Sequence, residues 1–271
     1  MKRTRLVIAG VCVVAAACSS GDTTSSTATD ATITADISSA AADGIAEDVD
    51  VMTGMDGSVG NSMGSLSTAS LENGPGDFRP GLTGCNFNGG AFHCAAATRN
   101  GLTFTRTVTF LDAGGQAQSA FDPLLTASIH VVADVSGDVT HGPWTATVSR
   151  HRDFTISGLA GTETTRTVNG AGNETVSNSR ATNNPRAYNL TCSSTVTNVV
   201  LPVRSSDGGN GWPISGTITR TCTINVTAGP NAGKTTTRTV TVTFNGTATP
   251  TATINGTPFT IDLPSHTATA H

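Results

Sequence analysis

The chain has 271 residues, of which 13% are charged and 4% aromatic, with a net charge of −4. Lys2, Arg3 and Arg5 supply three of the fifteen basic residues. Without them twelve basic residues face nineteen acidic ones, a balance of −7 that argues against a nucleic-acid partner. So few aromatic side chains offer no stacking platform for bases or sugars.

The first predicted element is an export signal. After the three cations comes an unbroken apolar or small run, Leu6 to Ala17, too short for a bilayer of about 30 Å. It ends in Ala15-Ala16-Ala17-Cys18. These residues resemble the lipobox of bacterial lipoproteins, with Ala15 where that family favours leucine. The resemblance covers the export region alone. It implies that residues 1–17 are a signal peptide and that Cys18 is lipidated, becomes the N-terminus and anchors the chain to a membrane. Inner-membrane lipoproteins of two-membraned bacteria tend to carry aspartate after the cysteine, so Ser19 implies the outer membrane. Cleavage by ordinary signal peptidase near the same place is the alternative. Cys12, preceded by the bulky Val11, fits the pattern less well.

Residues 18–30 then read as the lipidated cysteine and a disordered polar tether. Over 31–52, Ile33, Ile37, Ala41, Ile45, Val49 and Met52 recur every three to four positions, predicting an amphipathic helix. Asp30 suits its N-cap and Gly54 its end. Its other face is acidic, with Asp36, Asp43, Glu47, Asp48 and Asp50. Residues 53–84 are a Gly/Ser-rich loop without periodicity.

From 85 to 265 the pattern predicts an antiparallel β domain: threonine-rich alternation, with turn residues every 8–15 positions. Asn169-Gly170 and Gly172-Asn173 read as turns. The fold class is mainly β: one large curved antiparallel sheet or meander, a half-barrel or open barrel, with the helix packed on its apolar face. A hairpin centred on Asp207 would set Cys192 opposite Cys222, within disulfide reach, with Leu190, Val196 and Val200 sharing a face with Ile218, Ile224 and Val226. Cys85 and Cys94 would then pair across the Asn88-Gly89-Gly90 turn. An even number of cysteines in an exported chain fits two disulfides better than zinc.

Thr-Arg-Thr recurs along this domain. Strand alternation separates its residues: the threonines share one face, while Arg106, Arg220 and Arg238 fall on the apolar face, as does Arg166 in a shortened repeat. A charge there must reach water or a partner. The expectation is helix–sheet pairing, with some of Arg106, Arg166, Arg220 and Arg238 near the acidic residues of 31–52.

No catalytic signature emerges. Gly60-Asn61-Ser62-Met63-Gly64 matches G-x-S-x-G, but in a loop before a β domain rather than at a strand-to-helix elbow. His93, His130, His141, His151 and His266 show no ligand spacing, and His130 falls on a solvated face. The T-x-T dyads resemble the ice-binding face of β-solenoid antifreeze proteins, yet the motifs lie 60, 54 and 18 residues apart without the regular repeat those proteins need. Trp144 and Trp212 suit plugs at the ends of the core. The expected function is non-catalytic, with no cofactor or metal. It is a structural or interaction role in the cell envelope with a protein partner, oligomeric state open. The alternative is a carrier of a lipid or other amphiphile on an open apolar face.

Overall fold

The computed structural model describes residues 82, 84–99, 101–141, 144–160, 163–181, 185–202, 211–229, 231–265 and 267–270, with 44, 45, 48, 49 and 52. Cys18, the tether and nearly all of the 53–84 loop lie outside the described residues, as does most of 31–52. The strands are β1 (Cys85–Asn88), β2 (Ala91–Arg99), β3 (Leu102–Asp112), β4 (Ala117–Gln118), β5 (Thr126–His141), β6 (Trp144–Ser157) and β7 (Thr165–Arg180). Then follow β8 (Arg186–Pro202), β9 (Ser215–Ala228), β10 (Thr235–Thr243), β11 (Thr251–Ile254), β12 (Thr257–Asp262) and β13 (Thr267–Ala270). They form one open antiparallel sheet of 13 strands in chain order, with the two-residue β4 pairing β3 beside the β2 edge. Every connection joins neighbours, so the alternation of each strand is the main thing left to decide which face it buries.

The alternation divides the sheet cleanly. One cross-strand row on the inner face runs Phe92, Val108, Val131, Phe154, Gly170, Val196, Ile218, Val242, Ala252 and Phe259 from β2 to β12. It lies within a single buried cluster that also holds Phe110, Ile129, Val168, Val240 and Ile261. A second, smaller cluster occupies the other end of β8 and β9, around Tyr188, Leu190, Ile224 and Val226. Trp212 packs against the first cluster and Trp144 against the second, so the two indoles serve opposite ends of the core. The outer face is threonine, for example the row Thr195, Thr219, Thr241 and Thr253.

Both disulfides form as the spacing predicts. Cys192 faces Cys222 with the bond closed across β8 and β9, and Cys85–Cys94 closes the β1–β2 hairpin. The β8–β9 register follows the centre at Asp207 from Tyr188↔Val226 through Thr197↔Thr217. There the structure departs from the sequence expectation: Asn198, with φ 47°, opens a bulge, so Val199 and Leu201 are buried and Val200 is turned outward. The Asn198 N–H donates to Asn169 Oδ1 at 2.8 Å across the strand pair, which satisfies the group the bulge frees. A larger correction concerns Gly170 and Gly172, which do not make turns. Both lie inside the sixteen-residue β7, where missing side chains make room for Phe154 and Arg152 on the neighbouring strand.

The two disulfides should differ in weight. Cys192–Cys222 spans 30 residues and joins central strands, so Cys192→Ala/Cys222→Ala should cost about 3 kcal/mol or more in denaturant unfolding. Cys85→Ala/Cys94→Ala, which frees only an edge hairpin with a separation of 9, should cost less. The reverse order would contradict the placement of the core on β8 and β9.

Candidate functional site

Between the two apolar clusters the inner face carries charge. One cross-strand row reads Cys94, Arg106, Ala133, Arg152, Gly172, Ser194, Arg220 and Val240 from β2 to β10. The next reads Phe104, Val135, Arg150, Glu174, Cys192, Cys222 and Arg238 from β3 to β10. Two small residues, Gly172 and Ser194, thus separate Arg152 from Arg220, and both guanidinium groups reach across that space to Glu174. A Cβ on Gly172 would stand 2.8 Å from both Arg152 Cδ and Ser194 Oγ.

Glu174 is the centre. Its Oε2 accepts from Arg150 Nε at 3.0 Å, from Arg152 Nη2 at 3.5 Å and from Arg220 Nη2 in a shorter contact. Burial alone would raise the Glu174 pKa, but Arg220, Arg150 and Arg152 outweigh it and hold the carboxyl down at about 2. Arg152 is almost fully used. Its Nε donates to Asp48 Oδ1 at 2.6 Å, and its Nη1 donates to the carbonyls of His151 and Asn173. Burial works against its charge, yet Asp48 and Glu174 more than offset that, and its pKa is raised.

Asp48 comes from outside the sheet. It belongs to the described positions 44, 45, 48, 49 and 52, which are helical and buried. Ile45, Val49 and Met52 join the large apolar cluster. Gly44 lies directly on Arg220: a Cβ there would be 2.1 Å from Nη1. Gly44, which has no Cβ, is therefore needed where this segment lies against the arginine.

The sequence-predicted arginines all lie on or beside the apolar face, but in different settings. Arg220 is buried and bonded to Glu174 of the sheet. Arg106 is buried, with Nη2 3.6 Å from Cys94 Sγ, and desolvation lowers its pKa to about 10. Arg166 is buried at the far apolar end, opposite Leu201, with its pKa likewise lowered by desolvation to about 10. Arg238 is half-buried and donates to Thr236 Oγ1 and the Thr237 carbonyl. Sequence reasoning missed Arg150, Arg152 and Glu174. The signal for the first two was present in Val148, Arg150, Arg152 and Phe154, which alternate on one face of β6. Glu174 was hidden by the glycines taken for turns.

The chemistry open to this belt is electrostatic. A carboxyl held near 2 has no proton to give at neutral pH, and its partners Arg152 and Arg220 are buried while Arg150 is half-buried. On the exposed face, His130 Nε2 meets Asp153 Oδ1 at 2.6 Å and His151 Nδ1 meets Asp134 Oδ1 at 2.8 Å. His130 is thus paired as well as solvated. Thr107 Oγ1 lies 3.4 Å from His93 Nδ1, in a separate pair. Among the described residues no three His, Cys, Asp or Glu side chains are grouped to hold a metal ion.

The depressed Glu174 pKa fixes the sign of an acid effect. Its contribution is complete above the ordinary carboxylate range near pH 4.5 and is lost as pH falls toward 2. That window is worth about 3 kcal/mol for a shift of this size. Glu174→Gln should therefore lower stability at pH 7 by about 3 kcal/mol and flatten the decline between pH 4.5 and 2, measured by denaturant titration at each pH. A Glu174→Gln curve parallel to wild type across that range would remove Glu174 from the acid response.

Comparison with known protein families, characterised proteins and solved structures finds no match to this chain.

Proposed function

We propose that this chain is a non-catalytic lipoprotein of the cell envelope, anchored through an acylated Cys18, with a polar tether over 19–30 carrying the β domain. Its role on this reading is structural, or contact with another envelope component, and Ser19 favours the outer membrane of a two-membraned bacterium. The observation that carries the proposal is the Leu6–Cys18 stretch, a short apolar run closing on three alanines and a cysteine. Two disulfides support it, because such bonds persist outside the reducing cytoplasm. The low pKa of Glu174, which leaves its carboxyl without a proton to exchange at neutral pH, supports a non-catalytic role.

We also infer that residues 31–52 form a helix on the apolar face of a curved sheet. Buried Ile45, Val49 and Met52 at i, i+4 and i+7 support this, as do Gly44 against Arg220 and Asp48 bonded to Arg152. The pairing of Arg106, Arg166 and Arg238 with the other acidic residues of that helix belongs to the same proposal. A face so filled leaves little room for a carrier's cavity: Val108, Ile129, Val240 and Ile261 are fully buried within one cluster.

Growth of a bacterium expressing the full chain with a labelled fatty acid should label the wild type and leave Cys18→Ser unlabelled. An unlabelled wild type would sink the anchor. Mass spectrometry of the purified protein should find no lipid beyond the one at Cys18, whereas lipid bound one-to-one and released by denaturation would favour the amphiphile carrier.

A further inference from the structure

We propose that one end of the sheet is a membrane-contact edge, with Leu124 and Leu125 entering the boundary between lipid headgroups and acyl chains. The proposal rests on the envelope anchoring proposed above for a bilayer within reach. The described large apolar side chains left exposed are Phe87, Leu124, Leu125 and Ile214, at 43%, 77%, 61% and 45%. The antiparallel order puts all of them at the same end of the sheet. β1 and β3 finish there, and β5 and β9 begin there. Single exposed leucines are ordinary; an exposed adjacent pair with two further apolar side chains at the same end is not.

The loop that carries the leucines is built so that its backbone can leave water. Asp122 N–H donates to Thr126 Oγ1 at 2.9 Å, and Pro123 has no N–H. Leu124 and Leu125 N–H both donate to Asp122 Oδ1, at 2.8 and 3.2 Å, and Thr126 N–H donates to the Asp122 carbonyl at 2.8 Å. Every backbone N–H from 122 to 126 is thus satisfied within the loop, which lowers the cost of bringing it to a lipid surface. Thr126 Oγ1 in turn donates to Gln118 Oε1 at 2.7 Å. Phe121 sits edge-on to Phe110 at 5.7 Å and packs on the apolar core, so the tip stands on a rigid base.

A bilayer fits this end better than a charged partner. Among the described residues no exposed Lys or Arg lies there, and Lys234, Arg180 and Arg186 are at the opposite end. The carboxylates of Asp112, Asp122 and Asp262 are turned back onto backbone N–H groups of their own turns. Glu163, in the β6–β7 connection, is an exposed carboxylate at this end, so contact is apolar and shallow with no attraction to anionic lipid.

The test uses the full chain reconstituted into vesicles of phosphatidylethanolamine with or without phosphatidylglycerol, containing brominated acyl chains. Leu125→Trp, read as the difference from wild type, should give blue-shifted emission quenched by the brominated lipid, equally with and without phosphatidylglycerol. Thr195→Trp on the outer face should give unquenched emission. Leu124→Asp/Leu125→Asp should cut the vesicle-bound fraction of the Cys18→Ser chain on the order of tenfold or more, with unchanged unfolding as the check on folding. Water-like, unquenched emission at 125 in a chain shown to be acylated at Cys18 overturns the edge while sparing the anchor. Quenching at 125 in a chain that keeps Cys18 yet carries no acyl group there overturns the anchor and keeps the edge. Vesicle binding that needs phosphatidylglycerol and leaves 125 unquenched assigns contact to the Arg180, Arg186 and Lys234 end and overturns the proposal. So does self-association that disappears with Leu124→Asp/Leu125→Asp.

Discussion

Burying one carboxylate among guanidinium groups is the constraint on which the rest of the sheet depends. Taking either kind of charge out of water is costly, and mutual attraction repays that only where geometry and added hydrogen bonds are good. The belt meets the condition by subtraction as much as by attraction. Gly172 and Ser194 leave a space between Arg152 and Arg220 across which both reach Glu174. Gly170, one row away, makes the same allowance for the Phe154 ring. The small residues of β7 and β8 are therefore the complement of the large ones on β6 and β9.

The belt also supplies information that the outer face lacks. β9 and β10 alternate threonine with inward residues so regularly that a slip of two positions would again set threonine beside threonine and keep every apolar side chain inward. Threonine also faces threonine between β8 and β9, but a slip there would move Arg220 off Ser194 and away from Glu174, and Cys222 off Cys192. Register in this sheet is fixed by the few inward positions that are not interchangeable. The threonines contribute strand propensity and a solvated surface, with little power to choose among registers.

That division explains what could be read from the sequence. Face, strand order and both disulfides were legible because they depend on alternation and on turns between neighbours, and so was the inward placement of Arg106, Arg220 and Arg238. β7 was not, since Gly170 and Gly172 carry the same local signal whether they turn the chain or clear space beneath an arginine. The bulge at Asn198 was equally hidden, because it depends on Asn169 of another strand. Glu174 shows the general limit. Its partners sit 24, 22 and 46 positions away along the chain, and only the register shows that they converge.

The balance of charge within the belt gives Asp48 its weight. Among the described residues the sheet brings Arg150, Arg152 and Arg220 to a single carboxylate, so positive charge exceeds negative at that point. Asp48 reduces that surplus from outside the sheet while Ile45, Val49 and Met52 of the same segment add to the apolar cluster beside it. Hydrophobic burial and charge compensation thus draw the segment to the same place, and neither is supplied by the strands alone. The segment that carries Asp48 thus completes the core from outside the sheet.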